Sequence, residues 1–299
     1  LNVNYDPENI GGVFLYNYQH NGDKIRADVR QYLKTEPNFC LAKNYKAPAW
    51  CKRIFKCYTV YLISGINHFN LFYPTTSAIK LLEDSFIVDK KIPEEIETNN
   101  ICDSIIVNSE LTHNVFTKIY PEYTYKLKPP LDTTVCVKEI FQIFEKEYDI
   151  ILICSNFERE NKNNMFLLTI LQNEIFDKYK KIVIGEKSEL LKNIKNSVCL
   201  PLQLHHKCIE YMGKSKILLH PAMYESNSNT IREAYYHNCL SIITRNVGYN
   251  ELFPDYLICD NFSNEEWSNK IEYALNNYEN IKNTTIQFNT NLDIDKLLL

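Results

Sequence analysis

The sequence lacks any hydrophobic run that approaches the roughly 20 residues a membrane-spanning helix needs, so no transmembrane segment is predicted. No signal sequence opens the chain, which begins at Leu1 rather than Met and is compatible with a piece of a longer protein. It also lacks an excess of charge, since the formal net charge is -4 and the isoelectric point is near 6.0. Nucleic acid is therefore not an expected partner, and peripheral membrane contact is left open.

The ten cysteines include no CxxC pair, and five of them stand in or beside apolar runs: Cys154, Cys199, Cys208, Cys239 and Cys259. Buried free thiols of this kind are typical of a reducing compartment, so we expect a cytoplasmic protein. His205 and His206 have no third ligand at a metal-like spacing, so no metal site is predicted.

Hydrophobic runs alternate with amphipathic stretches from one end of the 299-residue chain to the other. This alternation is typical of parallel sheets covered by helices, and it predicts an α/β fold class. The length suits two α/β domains of about 130 to 150 residues with a cleft between them. We place the domains at 1–135 and 145–280, with a linker near 132–147 and a tail at 281–299 that could pack back on the first domain.

The same patterns locate individual elements. In the first half, strands are predicted at 12–18, 38–42, 59–64 and 104–108, and helices at 23–34, 93–100 and, with Ser109 as N-cap, up to about 120. In the second half, strands are predicted at 149–154, 181–185, 217–220 and 241–244, an edge strand or turn at 199–202, and helices at 163–175, 206–212, 231–237 and 265–277.

The stretch from Ile217 to Leu252 predicts a strand, a polar loop, a helix, a second strand and a turn that contains glycine. A polar loop between a buried strand and a helix places unpaired N–H groups and the positive end of the helix dipole at the carboxyl end of the sheet. We predict an anion site there. Small polar residues would let the backbone approach a diphosphate closely, and these are Asn227, Ser228, Asn229 and Thr230.

Two glutamates accompany this loop. Glu225 stands just before it, Glu233 stands about one turn inside the helix, and seven residues separate them. The pattern Thr230-Ile-Arg-Glu233 is also a capping box, in which Glu233 would only accept from the N-cap amide. Both interpretations of Glu233 are open at this point.

The segment resembles the donor-binding motif of retaining GT-B glycosyltransferases, specifically the large family four, in which two glutamates are likewise separated by seven residues. Val247-Gly248-Tyr249-Asn250-Glu251 resembles the Gly-Gly-x-x-Glu turn that follows the next strand in that family. The segments Asp89 to Glu95 and Cys102 to Glu110 are similar to the end of its N-terminal domain. One departure is that Ser226-Asn227-Ser228 replaces the family's Gly-Phe-Gly.

Asp149 to Lys162 resembles the first strand and loop of the family's donor domain, which has Gly-Arg and then Lys-Gly. Here Asn156 stands where the family has the arginine, while Lys162 is retained and is followed by Asn163. Arg159, in the same loop, could replace the missing charge. Gly22, after the first predicted strand, is the candidate for the glycine loop that lies against the donor phosphate in many GT-B enzymes.

The resemblance implies a GT-B fold, in which two Rossmann-like domains face a central cleft, and a hexosyltransferase activity without metal or cofactor. The donor would be a nucleotide sugar such as a UDP- or GDP-sugar, and the acceptor a glycan, a lipid-linked sugar or a protein. Lys162 and Arg159 would neutralise the diphosphate and Glu225 would contact the donor sugar. Glu233 would hold the ribose hydroxyls, with the backbone around Gly248 close by.

Two alternatives remain open from the sequence. Asn156 in place of the arginine, together with the short first half, is compatible with a catalytically silent sugar-nucleotide-binding module of a larger protein. A sugar-nucleotide epimerase of the same fold would need further acid and base groups in the cleft, and no such set is identified.

Overall fold

A computed structural model of the chain describes residues 39–43, 48–49, 51–52, 57–63, 93–130, 144–284 and 286. Several predictions fall outside these residues, namely the strand at 12–18, the helix at 23–34, Gly22, most of the linker and the tail beyond 286. They stay predictions, as do the domain boundaries.

The first half contributes a parallel three-stranded sheet. Its strands are β1 (Phe39–Lys43), β2 (Tyr58–Ile63) and β3 (Ser104–Val107), in the order β1-β2-β3. Helix α1 (Pro93–Ile101) precedes β3 and helix α2 (Glu110–Ile119) follows it. The predicted N-cap is confirmed, because the Ser109 side chain accepts a hydrogen bond of 3.2 Å from the amide of Thr112.

The second half contributes a parallel six-stranded sheet in the order β6-β5-β4-β7-β8-β9. The strands are β4 (Tyr148–Asn156), β5 (Lys181–Glu186), β6 (Ser197–Leu200), β7 (Ser215–His220), β8 (Leu240–Thr244) and β9 (Ile258–Cys259). The helices are α3 (Asn164–Leu171), α4 (His205–Gly213), α5 (Asn229–Tyr236), α6 (Asn264–Asn276) and α7 (Tyr278–Ile281). Along the chain, β4, β5 and β6 are added side by side toward one edge of the sheet. The chain then crosses to the other side of β4, where β7, β8 and β9 are added toward the opposite edge.

The central strands are continuous apolar runs, because strands of a parallel sheet are covered on both faces. Ile150 and Ile151 of β4 are fully buried, as are Ile217 and Leu218 of β7. Trp267 of α6 packs into the same core cluster. Ile286 also packs there, so this part of the predicted tail lies on the second sheet's core.

Helix α3 is shorter than the predicted helix at 163–175. It ends at Leu171, and the Asn173 side chain then accepts from the amide of Ile175 at 3.2 Å, which caps a separate 3₁₀ turn over Glu174–Phe176. An asparagine side chain that bonds nearby backbone competes with helix continuation, and the periodicity of the apolar residues carries no signal of this.

The nine cysteines within the described residues have free thiols. Cys154, Cys239 and Cys259 are buried as predicted, whereas Cys199 and Cys208 are half-buried. Cys199 differs because it lies in the edge strand β6, which has a neighbour on one side only. None of the helices within these residues has the length and apolar character that a membrane span requires.

Lys146 holds together the ends of two helices in the second half. Its Nζ lies within hydrogen-bond distance of four backbone carbonyls, at 2.8 Å from Gly213 and Ser215, 3.2 Å from His237 and 2.9 Å from Asn238. A cation at helix C-termini also interacts favourably with the helix dipoles.

We therefore expect Lys146→Met to lower the free energy of unfolding by about 2 to 3 kcal/mol, because it leaves several carbonyls without their charged donor. Urea denaturation measures the change. Lys207→Met is the matched control, since Lys207 pairs with Glu210 on the helix surface and its loss should cost about 0.5 kcal/mol or less. Equal effects of the two substitutions would contradict the role assigned to Lys146.

Candidate functional site

The order of the second sheet determines where a site can form. β4 and β7 are neighbours that run in the same direction, so their carboxyl ends lie side by side, while the chain leaves them toward opposite edges of the sheet. Ligands of open α/β sheets bind in the crevice at such a switch point. The loops that follow the two strands are joined there by a hydrogen bond of 2.9 Å from the Met223 amide to the Asn161 carbonyl.

Lys162 and Glu225 meet in this crevice. Lys162 ends the loop after β4, Glu225 lies in the loop after β7, and their side chains form an ion pair. The two side chains are only 18% and 19% exposed, so both charges are largely withdrawn from water. The structure thus brings together the cation and the first glutamate that the sequence analysis selected separately.

The backbone of Glu225 is fixed by a third loop, the one after β8. Its amide donates to the Asn246 carbonyl at 3.0 Å, and its carbonyl accepts from the Gly248 amide at 2.7 Å. A Cβ atom at Gly248 would lie 2.0 Å from the Ser226 carbonyl oxygen, so only glycine permits this approach. Gly248 therefore supports the position of Glu225 through the backbone.

His220 is a residue of this crevice that the sequence analysis missed. It is the last residue of β7, it is 6% exposed, and its Nε2 atom lies 3.9 Å from Oε2 of Glu225. Among the described residues Nε2 has no hydrogen-bond partner. Burial, together with the positive charge of Lys162, holds the pKa of His220 well below its usual range, so the ring is neutral. The available signal was a polar residue at the carboxyl end of a buried strand.

The arginine of the first loop takes a different position from Lys162. Arg159 is exposed, and its Nη1 donates to the Ser155 hydroxyl at 3.3 Å. Burial of the ammonium, to which the nearby Arg159 charge adds, lowers the pKa of Lys162 to about 8. Asn156 accepts from the Glu158 amide at 2.8 Å and donates to Glu186 at 3.4 Å, so its side chain shapes the start of this loop.

Helix α5 begins two residues earlier than a capping box at Thr230 would require. Ser228 is the N-cap, and its hydroxyl accepts from the Ile231 amide at 3.4 Å. The capping-box interpretation of Glu233 is therefore wrong, because Ser228 occupies the N-cap and Glu233 lies beyond the third helical position. Asn229 and Thr230 form the first turn, whose amides have no carbonyl partner within the helix, and Asn227 stands just before the cap.

Glu233 has a side-chain partner instead of a capping role. Its Oε1 lies 2.8 Å from Nε2 of His205, the first residue of α4. The His205 side chain is 71% exposed and that of Glu233 is 21% exposed, so the pair is open to solvent on the histidine side. From the sequence, His205 was a candidate only for metal binding, and its contact with Glu233 was not predicted.

The first sheet also reaches the site, through residues at the start of α2. Tyr224 is buried in the apolar cluster of the first sheet, and its hydroxyl shares a hydrogen bond of 2.9 Å with that of Thr112. The Tyr249 hydroxyl donates to the Asn108 carbonyl at 2.8 Å, and the Asn108 side chain lies 3.5 Å from the Ser226 hydroxyl. The loops that carry Glu225 and Gly248 are thus fastened to both halves of the chain.

The polar groups at the site are backbone and side-chain amides, carboxylates and cationic side chains. Within the part of the chain that the structure describes, no three His, Cys, Asp or Glu side chains come close enough together to hold a metal ion.

An open α/β protein with a ligand-binding crevice at its switch point is the class that this arrangement defines. The sequence model of the family Glycosyl transferases group 1 matches residues 138–288, about half of the chain, so the chain belongs to this family. No curated protein sequence matches the chain.

Solved structures share its fold at low sequence identity. TarM of S. aureus, in a complex with fondaparinux, α-GlcNAc-glycerol and UDP, has a TM-score of 0.65 and 13% identity over 94% of this chain and 59% of its own. A glycosyltransferase from Rickettsia africae has a TM-score of 0.61 and 16% identity over 96% and 83%. HepE of Anabaena, in a complex with UDP-glucose, has a TM-score of 0.61 and 13% identity over 87% and 74%. The fold is GT-B, and the chain spans 59% of the TarM chain.

We expect Gly248→Ala to destabilise the protein by about 1 to 3 kcal/mol, because the new methyl group meets backbone that cannot turn away. The midpoint of thermal unfolding measures this. Gly213→Ala is the matched control, since the methyl group there would meet the Phe144 side chain, which can rotate. A loss at Gly213 as large as the loss at Gly248 would contradict the close-approach argument.

Proposed function

We propose that the chain transfers a sugar, of the hexose type, from a nucleotide-sugar donor to a carbohydrate or glycoconjugate acceptor, with retention of anomeric configuration and without an essential metal. The observation that carries this proposal is the meeting of Lys162 and Glu225 in the crevice between β4 and β7. The UDP of the TarM structure and the UDP-glucose of the HepE structure favour a UDP-sugar as the first donor to test, ahead of a GDP-sugar.

The proposed chemistry is electrostatic. Departure of the nucleoside diphosphate builds negative charge on its phosphates, and a preorganised cation in a water-poor site stabilises that charge. Lys162 would supply the cation, with the amides at the start of α5 beside it and Arg159 at the outer rim. The polar residues around them would complete the phosphate pocket, namely Asn156, Asn227, Ser228, Asn229 and Thr230.

The two glutamates would divide the rest of the donor. Glu225, whose backbone the Gly248 loop holds, would accept hydrogen bonds from donor-sugar hydroxyls. Glu233, held by His205 at the rim, would accept from the ribose hydroxyls. Charge-assisted hydrogen bonds of this kind are stronger than neutral ones.

The direct test combines binding with turnover. Calorimetric titration with UDP, GDP and ADP identifies the nucleotide, and release of nucleoside diphosphate from the matching donors, in the presence of EDTA, measures turnover and metal independence together. Binding without turnover on any acceptor would indicate a silent binding module, and a donor sugar recovered with inverted stereochemistry would indicate an epimerase. Loss of turnover in EDTA that manganese restores would contradict the metal-free proposal.

The two glutamates should respond differently to neutralisation. We expect Glu233→Gln to weaken nucleoside diphosphate affinity by about 1 kcal/mol or more while the melting temperature barely moves, because a charged acceptor for the ribose is lost. Glu225→Gln should reduce the transfer rate more than it reduces that affinity. Normal affinity and rate in both folded variants would remove the basis of the proposed donor site.

The affinity for nucleoside diphosphate should fall as the pH rises above about 8, the pKa of Lys162 in the free protein. The bound diphosphate favours the ammonium form and raises that pKa in the complex, so affinity is lost with increasing pH between the two values. We expect a decrease of about tenfold from pH 7 to pH 9. Lys162→Ala should bind weakly with a flat profile, and Lys162→Arg should also be flat. Unchanged affinity in Lys162→Ala, together with a flat profile in the unmodified protein, would exclude Lys162 as the phosphate contact.

A further inference from the structure

One buried group of the crevice has no assigned task. His220 is the last residue of β7, its Nε2 atom lies 3.9 Å from Oε2 of Glu225, and within the described residues that nitrogen has no hydrogen-bond partner. A buried polar atom without a partner is costly, so such atoms in folded proteins usually have a reason to be there.

The unpartnered Nε2 atom of His220 can be explained by the neighbouring ion pair between Lys162 and Glu225. If Lys162 neutralises the donor diphosphate, as in the proposed function on which this inference depends, its ammonium must turn from the carboxylate toward the phosphates. Glu225 is only 19% exposed, so water cannot fully replace the lost counter-ion. A largely buried charge that loses its partner without compensation is strongly unfavourable.

His220 is placed to supply the compensation. Its ring is neutral, as burial holds its pKa well below the usual range, so in the appropriate tautomer Nε2 carries a proton that it can donate to Oε2. Closing the gap from 3.9 Å to a hydrogen bond needs a shift of about 1 Å in the Glu225 side chain, whose backbone is fixed on both sides.

We propose that His220 is a positioning residue that takes over the Glu225 carboxylate through Nε2 when Lys162 moves to the diphosphate. In that arrangement the carboxylate keeps its charge and its orientation toward the donor sugar. His220 acts through Glu225 and needs no contact with the donor.

The experiment measures UDP affinity by calorimetry and donor turnover in folded variants at His220. His220→Leu removes the hydrogen-bond donor at Nε2. It should weaken UDP binding by about tenfold, because the bound state then holds an unpaired carboxylate at Glu225. Turnover should fall further than affinity. His220→Gln should restore most of the affinity, since its amide nitrogen reaches the place of Nε2. His220→Asn is the matched control, as its shorter amide reaches only the place of Nδ1 and should resemble His220→Leu.

The decisive comparison repeats His220→Leu in the Glu225→Gln background. A neutral amide at 225 needs no counter-ion, so the effect of His220→Leu on UDP affinity should disappear there. A structural role would weaken binding equally in both backgrounds, which would overturn the proposal. Full affinity in His220→Leu, or rescue by Asn as good as by Gln, would also overturn it. If the unmodified chain binds no nucleoside diphosphate, the proposed function itself fails, an outcome distinct from binding without coupling.

Discussion

The pairing of β4 with β7 in the middle of the second sheet is the constraint on which the site depends. Parallel strands place their carboxyl ends at one edge, and the reversal of strand order at this pair opens a crevice between the connections that leave them. The loop with Lys162 and the loop with Glu225 are forced to meet there. Because β8 pairs in parallel with β7, the loop after β8 lies next to the loop with Glu225. Its residues Asn246 and Gly248 hydrogen-bond to the Glu225 backbone.

Burial gives this small group of residues its chemical character. An exposed lysine and glutamate would each be solvated and worth little to one another. Because the side chains of Lys162 and Glu225 are only 18% and 19% exposed, each charge depends on its partner for stabilisation. If the ammonium moved away, the carboxylate would need another hydrogen-bond donor. The same burial that shifts the pKa of Lys162 also keeps His220 neutral, and one environment therefore sets the protonation of both groups.

The sequence allowed prediction of what local patterns encode. Apolar runs located β4, β5, β7 and β8, and the polar loop before α5 located the glutamates. The partner of Lys162 was not predictable, because it depends on the sheet order, for which no local signal exists. Ser228 and Thr230 are both good N-caps, and the helix begins at the first. His220, His205 and Tyr224 were missed because their roles arise from contacts between separate elements.

Tyr224 and Glu225 are neighbours in sequence with side chains committed to different halves of the chain. The tyrosine ring is buried with the first sheet, while the carboxylate is paired within the second. A single peptide bond therefore links the apolar packing of one half to the electrostatics of the other. Because Tyr224 and Glu225 are adjacent and both side chains are held, a shift of the first sheet relative to the second would move the Glu225 carboxylate.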